Sequence, residues 1–355
     1  MHNYSCSTCG AQLYWDPQKQ SLYCKFCDSE FSPDDFVDKT AFTEDGQAPQ
    51  VAPPQISDTV VDLDTEDMVV YECSTCGGEV VAQKTTMATV CPYCGEAVSV
   101  TSKSIGDFRP ELVIPFAQDK KGAIELFKKY VQRSFLVPKS FKEDNIIDKI
   151  QGIFIPFYLH TITDAAQHDF KGKTTSCSRV GNDRVTTHKV YNLHIDATGK
   201  FDRLPTDAAK GIENELMDAL EPFSYDKLKE YNPAYMAGFV AEQRDEEIES
   251  LKTRAKERCK KGMRANAREA FSGYKELTML REENIFGTHN CQYVMLPVWI
   301  LNVKHNGKKY RFAINGQTGK AVGKLPLNYG KLAGVCAGVF AVSEVLAAIA
   351  LKFFM

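Results

Sequence analysis

The chain has 355 residues, of which 43% are hydrophobic and 25% are charged, the ordinary composition of a soluble globular protein with two or three domains. Its formal net charge of −3 is unevenly distributed, because residues 1–105 contain 5 Lys, no Arg and 16 Asp plus Glu, a net charge of −11. Such an acidic region repels polyanions, which disfavours nucleic-acid binding through the N-terminal third.

One cysteine spacing occurs twice in this acidic region. The pattern Cys-x2-Cys-x14-Cys-x2-Cys, each time within the flanks Tyr-x-Cys-Ser-Thr-Cys-Gly, is formed by Cys6, Cys9, Cys24 and Cys27 and again by Cys73, Cys76, Cys91 and Cys94. Four thiolates on two turns joined by a short hairpin make the closed tetrahedral shell that structural zinc prefers. The spacing therefore predicts two small β zinc ribbons, at residues 1–31 and 69–102, each holding one structural Zn²⁺.

Two other interpretations of the cysteines stay open at this point. Disulfides would require an oxidising compartment, but the first residues lack the charged-then-apolar pattern of a secretion signal. Iron in a rubredoxin-like site uses similar cysteine turns, so the sequence does not separate zinc from iron. Either metal would be fully coordinated by protein, without a position for a reactive water.

The segment between the ribbons, residues 32–68, is acidic and contains three prolines in the stretch 49–54, which predicts an extended linker. Its beginning has the features of a short helix, with Ser32 as N-cap and Pro33 at the first helical position.

Residues 103–328 have the pattern of an α+β domain with antiparallel strands and a long helix. One helix is predicted from Asp119 to Arg133 and a longer helical stretch from about residue 234 to 281. Strands are predicted at residues 153–159, 166–172, 185–197, 294–301 and 310–314, with turns at 304–308 and 316–320. Proline occurs inside two of the apolar runs, as Pro156 and Pro297, and indicates edge or bulge positions.

The helical stretch contains a strongly basic segment at residues 252–268, with eight Lys or Arg and one Glu. The simpler interpretation is a solvated helix face. The functional one is a surface for anionic lipid, nucleic acid or an acidic partner, including the chain's own ribbons.

Residues 332–351 form an apolar tail with one charge, Glu344, between Lys331 and Lys352. Twenty helical residues rise ~30 Å, the thickness of a bilayer's hydrocarbon core. The tail predicts a single-pass transmembrane helix, with a helix docked on the domain or a self-association helix as alternatives. Gly334 and Gly338 form a small-residue pattern that lets two helices approach closely.

The order of these features resembles a known family. Two ribbons, an Ile-Pro-Phe-Tyr strand at 155–158, a Leu-Pro-Val-Trp strand at 296–299 and the segment 310–320 are similar to bacterial TFIIB-type zinc-ribbon proteins with a C-terminal hydrophobic segment. These are often labelled replication-restart (primosomal) helicase-like or phage replication proteins. For some members the resemblance implies a role beside membrane-associated envelope-stress scaffold proteins, and it carries over no catalytic residue.

No helicase motor accompanies that label. The stretch Gly316-Gln317-Thr318-Gly319-Lys320-Ala321 has the wrong spacing for a phosphate-binding loop and ends in alanine. The histidines form no metal-ligand pair, and the four cysteines outside the ribbons are isolated. Those four are Cys177, Cys259, Cys291 and Cys336.

The leading hypothesis is therefore a non-catalytic adaptor on the cytoplasmic side of the membrane, anchored by its C-terminus, whose ribbons bind protein partners. The alternative is an accessory protein of DNA replication, restart or transcription that binds nucleic acid through the basic segment. That alternative needs no anchor and places the protein in the cytoplasm.

Overall fold

The computed structural model describes residues 4, 6–36, 68–72, 79–83, 86–90, 97–99, 110–138, 141, 147, 149–305 and 307–354. For the strands at 68–72, 79–83, 86–90 and 97–99 it gives the backbone pairing. Residues 37–67 of the linker predicted at 32–68, and the second cysteine set, lie outside the described residues.

The described part of the chain contains fifteen strands. In chain order they are β1 (Leu13–Asp16), β2 (Ser21–Cys24), β3 (Glu30–Phe31), β4 (Met68–Glu72), β5 (Glu79–Gln83), β6 (Thr86–Val90), β7 (Ala97–Ser99), β8 (Leu112–Val113), β9 (Gln151–Val180), β10 (Asp183–Asp207), β11 (Lys229–Glu230), β12 (Val240–Glu242), β13 (Glu276–His305), β14 (Lys308–Asn315) and β15 (Ala321–Gly323).

Helices lie between these strands in sequence and follow the last of them. They are α1 (Lys120–Gln132), α2 (Asn214–Ala219), α3 (Ile248–Ala270) and α4 (Tyr329–Phe354), with 3₁₀ turns at Pro33–Phe36, Tyr225–Lys227 and Pro233–Met236. The first of these turns confirms the short helix expected after Ser32, whose hydroxyl oxygen accepts a hydrogen bond from the Asp34 amide at 3.3 Å.

The strands form three sheets. A large sheet has the order β11-β8-β13-β9-β12-β6-β7, with β10 paired to β9, β14 to β13 and β15 to β14. The first ribbon is the small sheet β1-β2-β3, and β4 pairs with β5. The large sheet is mixed, because β8 runs parallel to β13 and β12 runs parallel to β9. The antiparallel strands expected from the sequence are present, but the two parallel pairs were not predicted, since the strands of each parallel pair are far apart in sequence and no local pattern encodes their contact.

The antiparallel pair β9 and β13 forms the centre of the large sheet. Its register includes the pair Ile155↔Leu296, which places Pro156 opposite Met295 and Pro297 opposite Phe154. Both prolines are thus inside central strands, and their assignment to edges or bulges was wrong.

A change of neighbouring strand explains how each proline is tolerated. On its outer side β9 pairs with β12 before Pro156 and with β10 after it, and β13 pairs with β8 before Pro297 and with β14 after it. The missing amide hydrogen of proline falls where one partner has ended and the next has not begun. Each proline carbonyl still accepts a hydrogen bond, from the Ala208 and Gly316 amides respectively, both at 2.9 Å.

These matching junctions reveal an internal repeat of strand, helix and hairpin. β8, α1, β9 and β10 form one unit, and β12, α3, β13 and β14 form the other, with the first strand of each unit pairing to the hairpin of the other. Asp207 of β10 and Asn315 of β14 occupy equivalent places, and both side chains are fully buried. The two proline-containing runs are similar in sequence, but no local pattern predicted the repeat around them.

The central strands are buried on both faces, which explains their nearly continuous apolar sequence. Ile155 and Phe157 alternate with Phe154 and Tyr158, so that one face packs against α2 and the other against α1 and the ribbon. The core between the sheet, α1 and the ribbon contains an aromatic cluster in which Phe116 stacks on Phe239 with ring centroids 4.1 Å apart. Trp299 and Phe154 contact the Phe116 ring edge-to-face.

Some elements form where the local sequence pattern predicted them, and others do not. α1 is confirmed, with Asp119 as N-cap accepting from the Gly122 amide at 2.7 Å and Arg133 as C-cap. The turns at Gly307 and Gly319 are confirmed, both glycines having a φ of 76°. The long helical stretch predicted at about 234–281 was wrong at both ends. Residues 240–242 and those from 276 onward pair as strands, and the α-helix covers Ile248–Ala270. The separate strands at 153–159 and 166–172 are one strand, β9.

We predict that Gly152→Ala destabilises the domain by about 1–3 kcal/mol, because a Cβ there would lie 2.7 Å from the Phe239 ring and 3.1 Å from Trp299. Urea unfolding of the detergent-solubilised full chain, followed by tryptophan fluorescence, measures this. Gly273→Ala is the matched control, since a Cβ there meets nothing within 4 Å. Equal unfolding midpoints for the two variants would contradict the packing described here.

Candidate functional site

The first ribbon gathers its four cysteines at one end of a small sheet. β1 and β2 form the hairpin, and the two Cys-x2-Cys turns precede β1 and follow β2. The four Sγ atoms lie within 4.8 Å of one another, with Cys6 to Cys27 at 3.4 Å and Cys9 to Cys24 at 3.5 Å. These separations exceed the ~2.05 Å of a disulfide. They are near the ~3.8 Å edge of a tetrahedron with Zn–S bonds of about 2.3 Å.

The backbone of each turn prepares its sulfurs for a metal. Gly10 and Asp28 occupy equivalent positions after the two turns and have φ values of 74° and 57°, so both adopt the left-handed conformation, which Asp tolerates better than most residues. Burial opposes ionisation of Cys6, but the amides of Cys9 and Thr8 point at its Sγ and lower its pKa to about 6. The Ala11 amide lowers the pKa of Cys9, but the neighbouring thiols, Cys24 foremost, outweigh it and raise that pKa. A zinc site requires thiolates, and the charge of a bound cation would deprotonate all four thiols.

The donor set therefore fits one structural metal ion. Four thiols of suitable spacing, two of them buried, complete the tetrahedral shell that structural zinc prefers. The structure thus brings together the first predicted set, Cys6, Cys9, Cys24 and Cys27. The second predicted set, Cys73, Cys76, Cys91 and Cys94, lies outside the described residues. Its flanking strand β6 pairs with β12, which joins that region to the large sheet.

The first ribbon is an integral part of the large domain. Trp15 is 4% exposed and belongs to the same hydrophobic core as Phe116 and Trp299. Its indole Nε1 donates to the Phe116 carbonyl at 3.2 Å, and its ring contacts Tyr235 edge-to-face. Gln18 donates to the Asp119 carboxylate at 2.9 Å, which fixes the ribbon to the N-terminus of α1. The ribbon is therefore held rigidly on the domain.

The outer surface of the ribbon presents one large apolar side chain. Phe26, in the second cysteine turn, is 79% exposed, whereas the neighbouring Lys25 folds back so that its Nζ lies 3.6 Å from the centroid of the Tyr14 ring. Single exposed apolar side chains are common on soluble proteins, and this one lies on a turn that the domain holds in place.

A row of buried polar side chains that no local sequence pattern indicated lies beneath α3. Along β9, His160, Asp164 and His168 point to the face that α3 covers and are at most 2% exposed. His160 Nδ1 lies 2.9 Å from His289 Nε2, and its Nε2 lies 2.8 Å from the Thr206 hydroxyl. Burial lowers the pKa of His160 from 6.5 to about 4, and the adjacent His289 adds to the effect. His160 is therefore neutral in the folded protein near pH 7.

Three arginines of the basic segment of α3 pair with carboxylates of the domain. Arg254 donates to Asp207 at 2.7 Å and to Asp218 at 2.6 Å. Arg258 binds Glu221 through two hydrogen bonds of 2.8 and 3.0 Å, and Arg264 pairs with Glu282. These pairs fix α3 to β10, β13 and the segment around α2, so three of the basic residues have a structural role.

The remaining cysteines do not assemble with one another or with the histidines into a second cluster within the described residues. Cys259 lies on the buried face of α3, and Cys291 is partly buried. Cys177 and Cys336 are exposed, on the β9–β10 hairpin and on α4.

The C-terminal helix α4 is apolar and projects from the domain. Tyr329–Ala347 is long and apolar enough to cross a membrane, and none of it is buried within the structure. Val339 and Phe340 are 65% and 67% exposed. The alternative of a helix docked on the soluble domain is therefore not what the described residues show.

Comparison with known proteins places the chain in a family. A protein of Bacillus subtilis (strain 168), named Uncharacterized protein YdjG, is 33% identical over 254 residues, which is 69% of this chain and 73% of that protein. The chain belongs to the YdjG family. No protein-family model and no solved structure matches it. Because the relative's name specifies no activity, a function for the YdjG family has to be argued from the site itself.

We predict that Cys24→Ser removes one metal equivalent per chain and lowers the free energy of unfolding by about 3 kcal/mol. This is similar to the cost of truncating a large aromatic side chain in a core. The loss extends beyond the ribbon because Trp15 is shared with the domain core. Elemental analysis and urea unfolding measure the two effects. Cys177→Ser is the control, since Cys177 is exposed and distant in the fold. Unchanged metal content in Cys24→Ser would contradict the site.

We predict that His160 makes the fold acid-sensitive. The unfolded chain binds a proton near pH 6.5 and the folded one only near pH 4, so stability is complete above about 6.5 and falls by up to about 3 kcal/mol as the pH drops to about 4. His160→Gln keeps a hydrogen-bonding side chain but cannot titrate, so its unfolding midpoint should vary less across this range. His188→Gln, at an exposed position on β10, should behave like the parent chain. Parallel pH profiles for His160→Gln and the parent would refute the assignment.

Proposed function

We propose that the chain is a membrane-attached adaptor that uses its zinc ribbons to hold a protein partner and catalyses no reaction. Cys6, Cys9, Cys24 and Cys27 hold one structural Zn²⁺, and the second cysteine set holds another. The anchor is α4, with the domain on the cytoplasmic side of the cell membrane, where thiolate ligands stay reduced and where Lys324 and Lys331 satisfy the excess of positive charge on the inner side.

The observation that carries this proposal is the position of the ribbon and of α4 at the two ends of α1. The ribbon contacts the N-terminus of α1 through Gln18 and Asp119. Beyond the C-terminus of α1, Lys331 of α4 donates to the carbonyls of Phe135 and Val137 at 3.1 and 3.3 Å. Thirteen helical residues separate these points by ~20 Å. The exposed Phe26 is thus presented at a fixed distance from the apolar helix.

The resemblance to TFIIB-type zinc-ribbon proteins supports the same assignment. For some of those proteins it implies a position beside membrane-associated envelope-stress scaffolds, and a rigid ribbon near an anchor suits the recruitment of such a partner. The acidic charge of the N-terminal region favours a partner surface with basic groups.

The nucleic-acid hypothesis receives less support from the structure. Arg254, Arg258 and Arg264 pair with carboxylates of the domain, and Lys252 and Lys260 pair with Glu249 and Glu257 on α3 itself. A phosphate-binding surface needs cations directed outward, and these five residues are already neutralised. Structural pairs therefore explain five of the eight basic residues in the segment.

We predict that a photo-crosslinking amino acid at position 26 captures a protein in living cells and that this protein depends on the anchor for its location. Val339→Lys places a charge within the span, at a cost of about 3 kcal/mol, and should release both the chain and its captured partner into the soluble fraction. Val339→Leu is the matched control and should leave both in the membrane fraction.

The crosslinker at Lys227, whose side chain is 71% exposed elsewhere on the domain, controls for random capture. If the captured protein stays in the same fraction with Val339→Lys as with Val339→Leu, the chain does not recruit it and the adaptor function is wrong.

A further inference from the structure

The place where α4 leaves the domain is built around one short segment, residues 133–137. The Asn328 amide donates to the Leu136 carbonyl at 2.7 Å, and Lys331 Nζ binds the carbonyls on either side of it. Asn328 also caps the helix, because its Oδ1 accepts from the Lys331 amide at 3.1 Å. Residues 133–137, after α1, and residues 327–332, which lead into the first turn of α4, therefore form one rigid unit, which we call the helix root.

The helix root exposes three large apolar or aromatic side chains. Phe135 is 63% exposed, Leu327 is 48% exposed and Tyr329 is 78% exposed. They are continuous with the exposed apolar residues of α4, beginning at Val335. Single exposed apolar residues are common on soluble proteins, but a group adjoining a bare apolar helix marks a surface that is covered in the functional state.

The two sequence segments that meet at the helix root are basic. Residues 126–141 and 323–343 contain no Asp or Glu and six basic residues, which are Lys128, Lys129, Arg133, Lys139, Lys324 and Lys331. Arg133 and Lys324 are exposed. Lys331 lies with its Nζ 5.4 Å from the centroid of the Phe135 ring, so an aromatic face and a cation adjoin each other. Aromatic side chains next to Lys and Arg at the end of an apolar helix are characteristic of a bilayer interface.

We propose that the helix root is a membrane-contact surface, with Phe135, Leu327 and Tyr329 inserted among the headgroups of an anionic bilayer and Arg133 and Lys324 facing lipid phosphates. The occupant is the lipid bilayer itself, because the surface is continuous with the anchor and complementary in charge to acidic lipids. This inference rests on the anchor proposed above. It adds that the domain lies directly on the bilayer, with α1 and the ribbon at a fixed orientation to it.

Tryptophan quenching in the full-length chain tests the proposal. The chain is reconstituted in vesicles of phosphatidylcholine and phosphatidylglycerol with brominated acyl chains, and Phe135→Trp, Tyr329→Trp, Val339→Trp and Phe26→Trp are each compared with the parent. The native tryptophans, Trp15 and Trp299, are buried and give a constant background. Phe26 is the matched control, since it is as exposed as Tyr329 but lies on the ribbon.

Loss of emission at positions 135, 329 and 339, with none at 26, supports the proposal. Loss at 339 alone overturns the contact surface while leaving the anchor intact. No loss at 339 overturns the anchor, and this inference with it. In vesicles of phosphatidylcholine alone, the loss at 135 should decrease while that at 339 persists. Equal losses at 135 in both vesicles would overturn the role assigned to Arg133 and Lys324.

Discussion

The antiparallel pairing of β9 with β13 is the constraint on which the rest of the structure depends. Around the Ile155↔Leu296 pair, each strand changes its outer neighbour at a proline, and those changes bring β8 and β12 beside the hairpin of the opposite repeat unit. The helices that follow these two strands, α1 and α3, are thereby fixed on the sheet. One repeat unit carries the ribbon and the helix root on α1, and the other carries the buried arginine pairs on α3.

Equivalent positions of the repeat have acquired different chemistry. Asn315 accepts from the amides of Gln317 and Thr318 and donates to two carbonyls, so its amide satisfies a tight turn without any charge. Asp207 is buried in the same place but meets Arg254. Burial raises the pKa of Asp207 while Arg254 opposes that shift, and the pair attaches α3 to the sheet. Removing one partner of such a pair costs about 3–5 kcal/mol, far more than the pair itself contributes.

The extent to which the sequence predicts this structure follows from the range of the interactions. α1 was predictable because its cap and apolar stripe are local, and the ribbon was predictable because metal ligands tolerate little variation in spacing. The parallel pairs, the long strands and the end of α3 depend on contacts between residues far apart in sequence, such as Val294 with Leu112 and Val240 with Ile153. Residues 276–281 were expected to be helical but pair with residues 169–173 of β9, where tertiary contact overrides local propensity. The buried row at His160 was missed for the same reason, since its partners come from β10 and β13.

The energetics of α4 explain why a helix root would be needed. Its nine Leu, Ile, Val or Phe residues between positions 332 and 351 contribute about −4 kcal/mol to insertion, and Glu344 opposes this by about +3 kcal/mol, so a lone helix is held weakly. Basic residues near an anionic surface add about 1 kcal/mol each, and buried aromatic area adds further. Two weak signals acting together give stable attachment where one does not. Gly334 and Gly338, where a Cβ would meet nothing within 4 Å, leave a further face open to a second transmembrane helix, which could shield Glu344 from the lipid.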